Sequence, residues 1–260
     1  MNVSYIKGQA NQQVNSFAAL TENAFTQAVF KDALKSMKIA DKGRLIPEDA
    51  DVDEYQFYIQ GVGFHLAHAL TWMRQLNSAV ELLTNYDYSK RISTSRADHL
   101  IYNIENYLIR LNSTYDRMLQ LTNAVFHICT HEEHVSHSVI ITNVKVQHRP
   151  EVVEKLKAIK KNLDKYAQDR HAIIHKHSLL DEKLRQIELL YQDNLLYQMT
   201  GEEKNQIKLV RKNCLRDYVV AKKAEFQNMN FKLNKLAEEL FEELLIEYEF
   251  QKQQFKLRGY

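Results

Sequence analysis

Two prolines and six glycines have to serve every turn of a 260-residue chain. A sheet protein of this size reverses direction many times, and each tight reversal favours Gly, Pro, Asn or Asp for a definite backbone reason. Long helices joined by few connections need far fewer such residues. Leu, Ala, Lys, Glu, Gln and Asn are abundant instead, most of them good or tolerable helix residues. The chain is long enough for one large domain or two small ones and for a sizeable core. The expected class is all-α: an antiparallel helical bundle with an additional N-terminal helix and a long C-terminal helix.

Apolar periodicity locates the helices. The first is expected over about 15–39, ended by "ADKGRLIPEDADVDE" with Gly43 and Pro47. A second runs over about 54–86. Its Val62, Leu66, Ala69, Met73, Leu76, Val80 and Leu83 fall on one stripe. Gly61 and Gly63 either weaken the start of this helix or let another helix come close. The third begins at the Ser/Thr caps of "STSRADHLIYNIENYLIRLNSTYDRMLQLTNAVFHIC" and keeps an a/d-like register from Ile101 to Val125. Residues 130–149 read as a connection, with "HSVIITNVKV" β-branched enough to be extended and room for a short helical piece. Pro150 suits the first position of the next helix, which runs toward Tyr166. A further helix is expected in "LLDEKLRQIELLYQDNLLYQ", and a last one over about 202–256. This gives three expected units: an N-terminal helix and loop (1–53), a helical bundle (54–200) and a long C-terminal helix packing on it (201–260).

The formal net charge is +2, which argues neither for nor against nucleic acid, and 11 histidines can add charge just below neutral pH. Cys129 and Cys214 lack metal-type spacing and read as reduced, buried thiols. Neither a signal-peptide core nor a membrane-length apolar run is evident, so a cytoplasmic protein without a membrane partner is expected. No glycine-rich phosphate loop occurs, which leaves nucleotide-driven motor or kinase chemistry unsupported. His127, His131 and His134 would share a helix face only if the third helix continued through them. "HEEHVSH" lacks the HExxH spacing, so they read as a surface or loop cluster, with no metal expected. His65 and His68 read as a half-buried pair near Trp72, and Tyr55, Tyr58, Tyr86 and Tyr88 as packing residues.

The run "RHAIIHKH" at 170–177 pairs a permanent cation with side chains that exchange protons near neutral pH. Such groups suffice to cleave RNA without a metal. One moves a proton at the 2′-hydroxyl or leaving oxygen, and the other offsets charge on the scissile phosphate. Arg170 and His175 are five positions apart. On a regular helix that turns them about 140° from one another, so a kink or a second subunit is needed to aim both at one atom. From spacing alone, a solvated Arg- and His-rich helix start is the better reading.

An arginine followed after four to six residues by a histidine is the signature of the HEPN superfamily (higher eukaryotes and prokaryotes nucleotide-binding), and this chain resembles it. The motif follows a helix and the junction "DKYAQD", and "DHLIYNIENYLIRLNSTYDRMLQLTNAVF" resembles the corresponding helix of prokaryotic HEPN proteins of the Cthe type. The resemblance covers roughly 54–200. It implies a helical bundle that dimerises to bring two motifs into one cleft. It also implies a metal-independent endoribonuclease without cofactor, of the toxin or antiphage kind, with RNA and an antitoxin or defence-system protein as partners. Carried onto this chain, Arg170 is the charge stabiliser, His175 the proton-transfer group and His171 the supporting polar residue, with Lys176 and His177 beside them as RNA contacts. Where some members carry a modifiable tyrosine two residues after the histidine, this chain has His177, so the resemblance does not extend to regulation at that position. Glu105 and Asp116 are candidates for an acidic residue on the upstream helix. The other class of function open to such a chain is a non-catalytic helical scaffold or binding module.

Overall fold

All seven stripe positions of the second expected helix, Val62 to Leu83, are buried. So are seven of the eight a/d-like positions of the third, with Ile101 partly covered. These two faces meet, and the rest of the fold is built on them. The computed structural model of the chain describes residues 17–37, 53–84, 95–166, 182–191 and 199–259. In chain order the helices are α1 (Ala24–Ser36), α2 (Glu54–Leu82), α3 (Arg96–Val125), a 3-10 turn (Glu132–His134), α4 (His137–Thr142) and α5 (Val144–Gln147). They continue with α6 (Pro150–Asp164), α7 (Glu182–Leu190) and α8 (Gly201–Leu257). Residues 17–22 are also helical, and no strand occurs among the described residues, so the protein is all-α.

Local signals set the helix starts. Asp53 accepts from the Gln56 amide at 2.7 Å to open α2. Ser95 and Asp98 form a reciprocal capping box on α3, and Thr200 and Glu203 do the same on α8. Pro150 opens α6, where its missing N–H costs nothing.

α2 and α3 are antiparallel. The Tyr58 hydroxyl donates to the Val125 carbonyl (2.9 Å), Arg110 donates to Gln75, and the His99 ring meets the Leu82 carbonyl (3.2 Å). α1 crosses α2 where Gly63 leaves room: a Cβ built on Gly63 would stand 2.7 Å from the Ala33 Cβ. α8, 57 residues and ~85 Å long, runs antiparallel to α6. The pairing is Arg149–Glu247 (3.2 Å), Lys155–Glu239 (2.7 Å), Asn162–Met229 (3.3 Å) and Tyr166–Glu225 (2.8 Å). Its C-terminal half also holds α1, through a tilted Phe25–Phe241 ring contact (5.4 Å between centroids) and the Lys252–Asp32 pair at 2.6 Å. Inside the bundle Tyr107 stacks on Phe226 (3.7 Å between centroids) and donates to Asn230 Oδ1 (2.8 Å). Asn230 in turn donates to Asn77 (3.0 Å).

Two expectations are corrected. Residues 137–147 form α4 and α5, not an extended segment. Ser136 and Asn143 cap them, and helical geometry lets Ile140 and Val146 insert fully into the core, which outweighs β-branched propensity. Cys129 and Cys214 are free but exposed rather than buried. Cys129 follows the end of α3 in a left-handed conformation (φ 62°), and on α8 the neighbouring Leu215 takes the inward position.

Candidate functional site

Arg170, His171, His175, Lys176 and His177 lie outside the described residues, as do Tyr86 and Tyr88. The structure fixes the frame on either side of the motif. α6 delivers the chain to Tyr166, which is buried and donates to Glu225 of α8, with the Lys165 ammonium 4.5 Å from its ring centroid. The chain is described again at α7, whose Leu184 and Ile187 are buried and which packs against α8 and α3. The described residues on either side of the motif, Tyr166 and α7, both pack against α8.

The two acidic candidates on α3 differ in placement. Glu105 is half-buried and lies two residues before Tyr107, whose hydroxyl also reaches the Phe226 carbonyl (3.3 Å). Glu225, which receives Tyr166, is the residue before Phe226 on α8, so Tyr107 stands near the motif's entry anchor. Asp116 is exposed and ~14 Å farther along α3 than Tyr107.

Beside Asp116 the Tyr115 hydroxyl shares a hydrogen bond with Nδ1 of His137. Burial raises the Tyr115 hydroxyl well above the ordinary phenol range, with Asp116 and Asp164 adding to the effect. Burial also lowers His137, helped by Lys160 and Lys157 on α6. A protonated phenol against a neutral imidazole is a structural clasp between α3 and α4. The sequence did not disclose it, because the partners are separated by the break at the end of α3.

That break also disperses the histidine cluster. The Ile128 amide donates to the Asn123 carbonyl (3.0 Å) and the His127 amide to the Ala124 carbonyl (3.0 Å), a Schellman closure in which His127 takes the left-handed position (φ 46°) that glycine usually fills. The His127 ring turns inward, 5.5 Å from the Tyr58 ring and 5.4 Å from that of Phe255. His131 precedes the exposed 3-10 turn and His134 is its last residue. Among the described residues no three His, Cys, Asp or Glu side chains are grouped to hold a metal. His65 is half-buried, 4.0 Å from Glu132, and burial lowers its pKa, while Phe64 lies over His68 at 4.2 Å.

Residues 72–244 match the model of the HEPN_Cthe2314-like HEPN family. This chain belongs to that family. The match begins inside α2 and runs well into α8, so it starts later and ends later than the 54–200 span of the sequence resemblance, and it contains the whole 170–177 run. No curated protein and no solved structure matches. Among the described residues no helix is long and apolar enough to cross a membrane.

Proposed function

We propose that this protein is a metal-independent endoribonuclease in which Arg170 and His175 carry the reaction. The observation that carries this reading is the Arg-x4-His run lying inside the family-matched span, directly after an α6 whose end is pinned by Tyr166. His175 takes or gives a proton near neutral pH. Arg170 keeps its charge and braces the phosphate through two donors of its planar fork. His171 supports them, and Lys176 and His177 contact the RNA. The RNA's own 2′-hydroxyl attacks the phosphorus, its proton passes to a base, and the P–O5′ bond breaks. One fragment ends in a 2′,3′-cyclic phosphate and the other begins with a 5′-hydroxyl protonated by an acid. Two copies of the chain supply two motifs to one cleft, which resolves the ~140° separation on a single helix. Family membership supports an RNase or defence role, with a toxin or antiphage setting and a neutralising or defence-system partner as its finer form.

Purified protein incubated with total RNA in EDTA tests the reading. Wild type should cleave RNA and spare DNA, which lacks the attacking hydroxyl. His175→Ala and Arg170→Ala should each lose about 10²- to 10³-fold, and Arg170→Lys should recover little. Equal activity in wild type and His175→Ala, or activity abolished by EDTA, would leave the scaffold as the better account.

A further inference from the structure

Where α6 begins, ~22 Å along its axis from Asp164, a cavity of about 610 Å³ opens between α5, α8 and the end of α3. Lys145, His148, Arg149 and Arg258 line it. Arg149 is neutralised by Glu247, which is buried and held from its other side by Gln251 (2.8 Å). Lys145, His148 and Arg258 have no carboxylate partner among the described residues. The Lys145 ammonium is steered by one bond to the His127 carbonyl (2.6 Å), which leaves two N–H donors for something else. The left-handed turn at His127 aims that carbonyl and seats the ring on Phe255, a costly conformation for a residue with a side chain.

Two cations without a carboxylate partner, Lys145 and Arg258, face one concavity with the His148 ring, an arrangement that favours an anion. The rim carries Phe250, 44% exposed, a flat ring beside cations on which a base can stack. The volume suits a nucleotide-sized group rather than a small ion. The α8 residues that shape the cavity, Glu247 to Arg258, lie beyond the 72–244 span, so the family match does not supply this feature.

We propose that this cavity is a phosphate-binding site for the RNA backbone, with Lys145 and Arg258 on the phosphate and Phe250 under an adjoining base. That the phosphate belongs to RNA rests on the nuclease reading. The cavity thereby adds affinity for longer single strands without adding sequence preference, since phosphate contacts position and do not specify.

The test uses the full chain carrying His175→Ala, so that RNA is not consumed. Binding of a single-stranded RNA 20-mer is followed by fluorescence anisotropy across a salt series. Lys145→Gln with Arg258→Gln should weaken binding tenfold or more and reduce the slope of log K against log salt by about 1.4, two contacts of ~0.7 each. Phe250→Ala should weaken binding with the slope retained. Lys232→Gln, an exposed lysine of α8 outside the cavity, should change neither. Arg258→Gln alone, at an exposed position, guards against misfolding from loss of the Lys145 contact and should show half the slope change. An unchanged slope in the double variant overturns the proposal. So does tight binding of 5′-AMP, or of an acidic peptide, at this cavity while the RNA 20-mer is indifferent to its substitution. Cleavage by the chain with His175 intact is scored separately. A chain that cleaves nothing but shows the slope change keeps this site and loses the nuclease, whereas one that cleaves RNA without the slope change does the reverse.

Discussion

Replacing Tyr107 with phenylalanine removes one oxygen from the middle of the bundle. The ring would still stack on Phe226, but Asn230 Oδ1 would lose its 2.8 Å donor in a place water does not reach. A buried acceptor left without its partner costs about 1–3 kcal/mol, so Tyr107→Phe should lower the urea midpoint by that equivalent at unchanged m-value. Histidines act at the same scale through pH. His65, His127 and His137 all titrate below the ordinary imidazole value in the fold, each chiefly because of burial. The unfolded chain therefore binds protons before the folded one does. Stability is fully present above the unfolded value of about 6.5 and falls as pH drops through it toward the folded values, below which it levels off. Thermal melts between pH 7.5 and 5.0 should show this decline, and combining His65→Gln with His127→Gln should make it shallower. An equally steep decline in that variant would place the titrating groups elsewhere.

At the scale of elements, the two glycines of α2 separate helix propensity from packing. Nothing lies within 4 Å of a Cβ on Gly61, whereas one on Gly63 meets Ala33 of α1 at 2.7 Å. Gly61→Ala should raise Tm, gaining up to ~1 kcal/mol of propensity. Gly63→Ala should lower it, because an overpacked helix crossing costs about 1–3 kcal/mol, more than the same propensity gain returns. Both effects are read in one calorimetric comparison, and an increase in both variants would mean that α1 yields easily. The short helices α4 and α5 teach the complementary point. Their β-branched residues favour strand in isolation, yet Ser136 and Asn143 supply caps and the core accepts Ile140 and Val146 only from a helical backbone.

For the whole molecule, the proposed dimer makes a prediction that one chain cannot satisfy. If each site takes Arg170 from one protomer and His175 from its partner, a heterodimer of the Arg170→Ala and His175→Ala chains contains one fully intact site and one empty one. Equal mixing with subunit exchange should then restore about a quarter of wild-type cleavage, since statistical exchange makes half the dimers mixed. No recovery after exchange, shown by tagged subunits in one complex, would mean that each site draws both groups from a single chain.

The sequence by itself determined the helices and their inward faces. Glycine and proline scarcity, 3.6-residue periodicity and terminal caps are local properties, and the buried residues of α2, α3 and α6 follow the stripes written in the chain. It also carried the Arg170–His175 run, because that motif is contiguous. The structure describes the anchors before and after it, with Tyr166 on Glu225 and α7 on α8. Tertiary structure alone decided what depends on residues distant along the chain. It set Tyr115 against His137, and drew His127, Lys145 and Arg258 around one cavity. It also turned α3 off at Val125, which scattered the histidine cluster. The physical reason is the αL closure at His127. No glycine marks it, and its cost is met by packing between Tyr58 and Phe255, residues about 70 and 130 positions away in sequence that only the folded chain brings together.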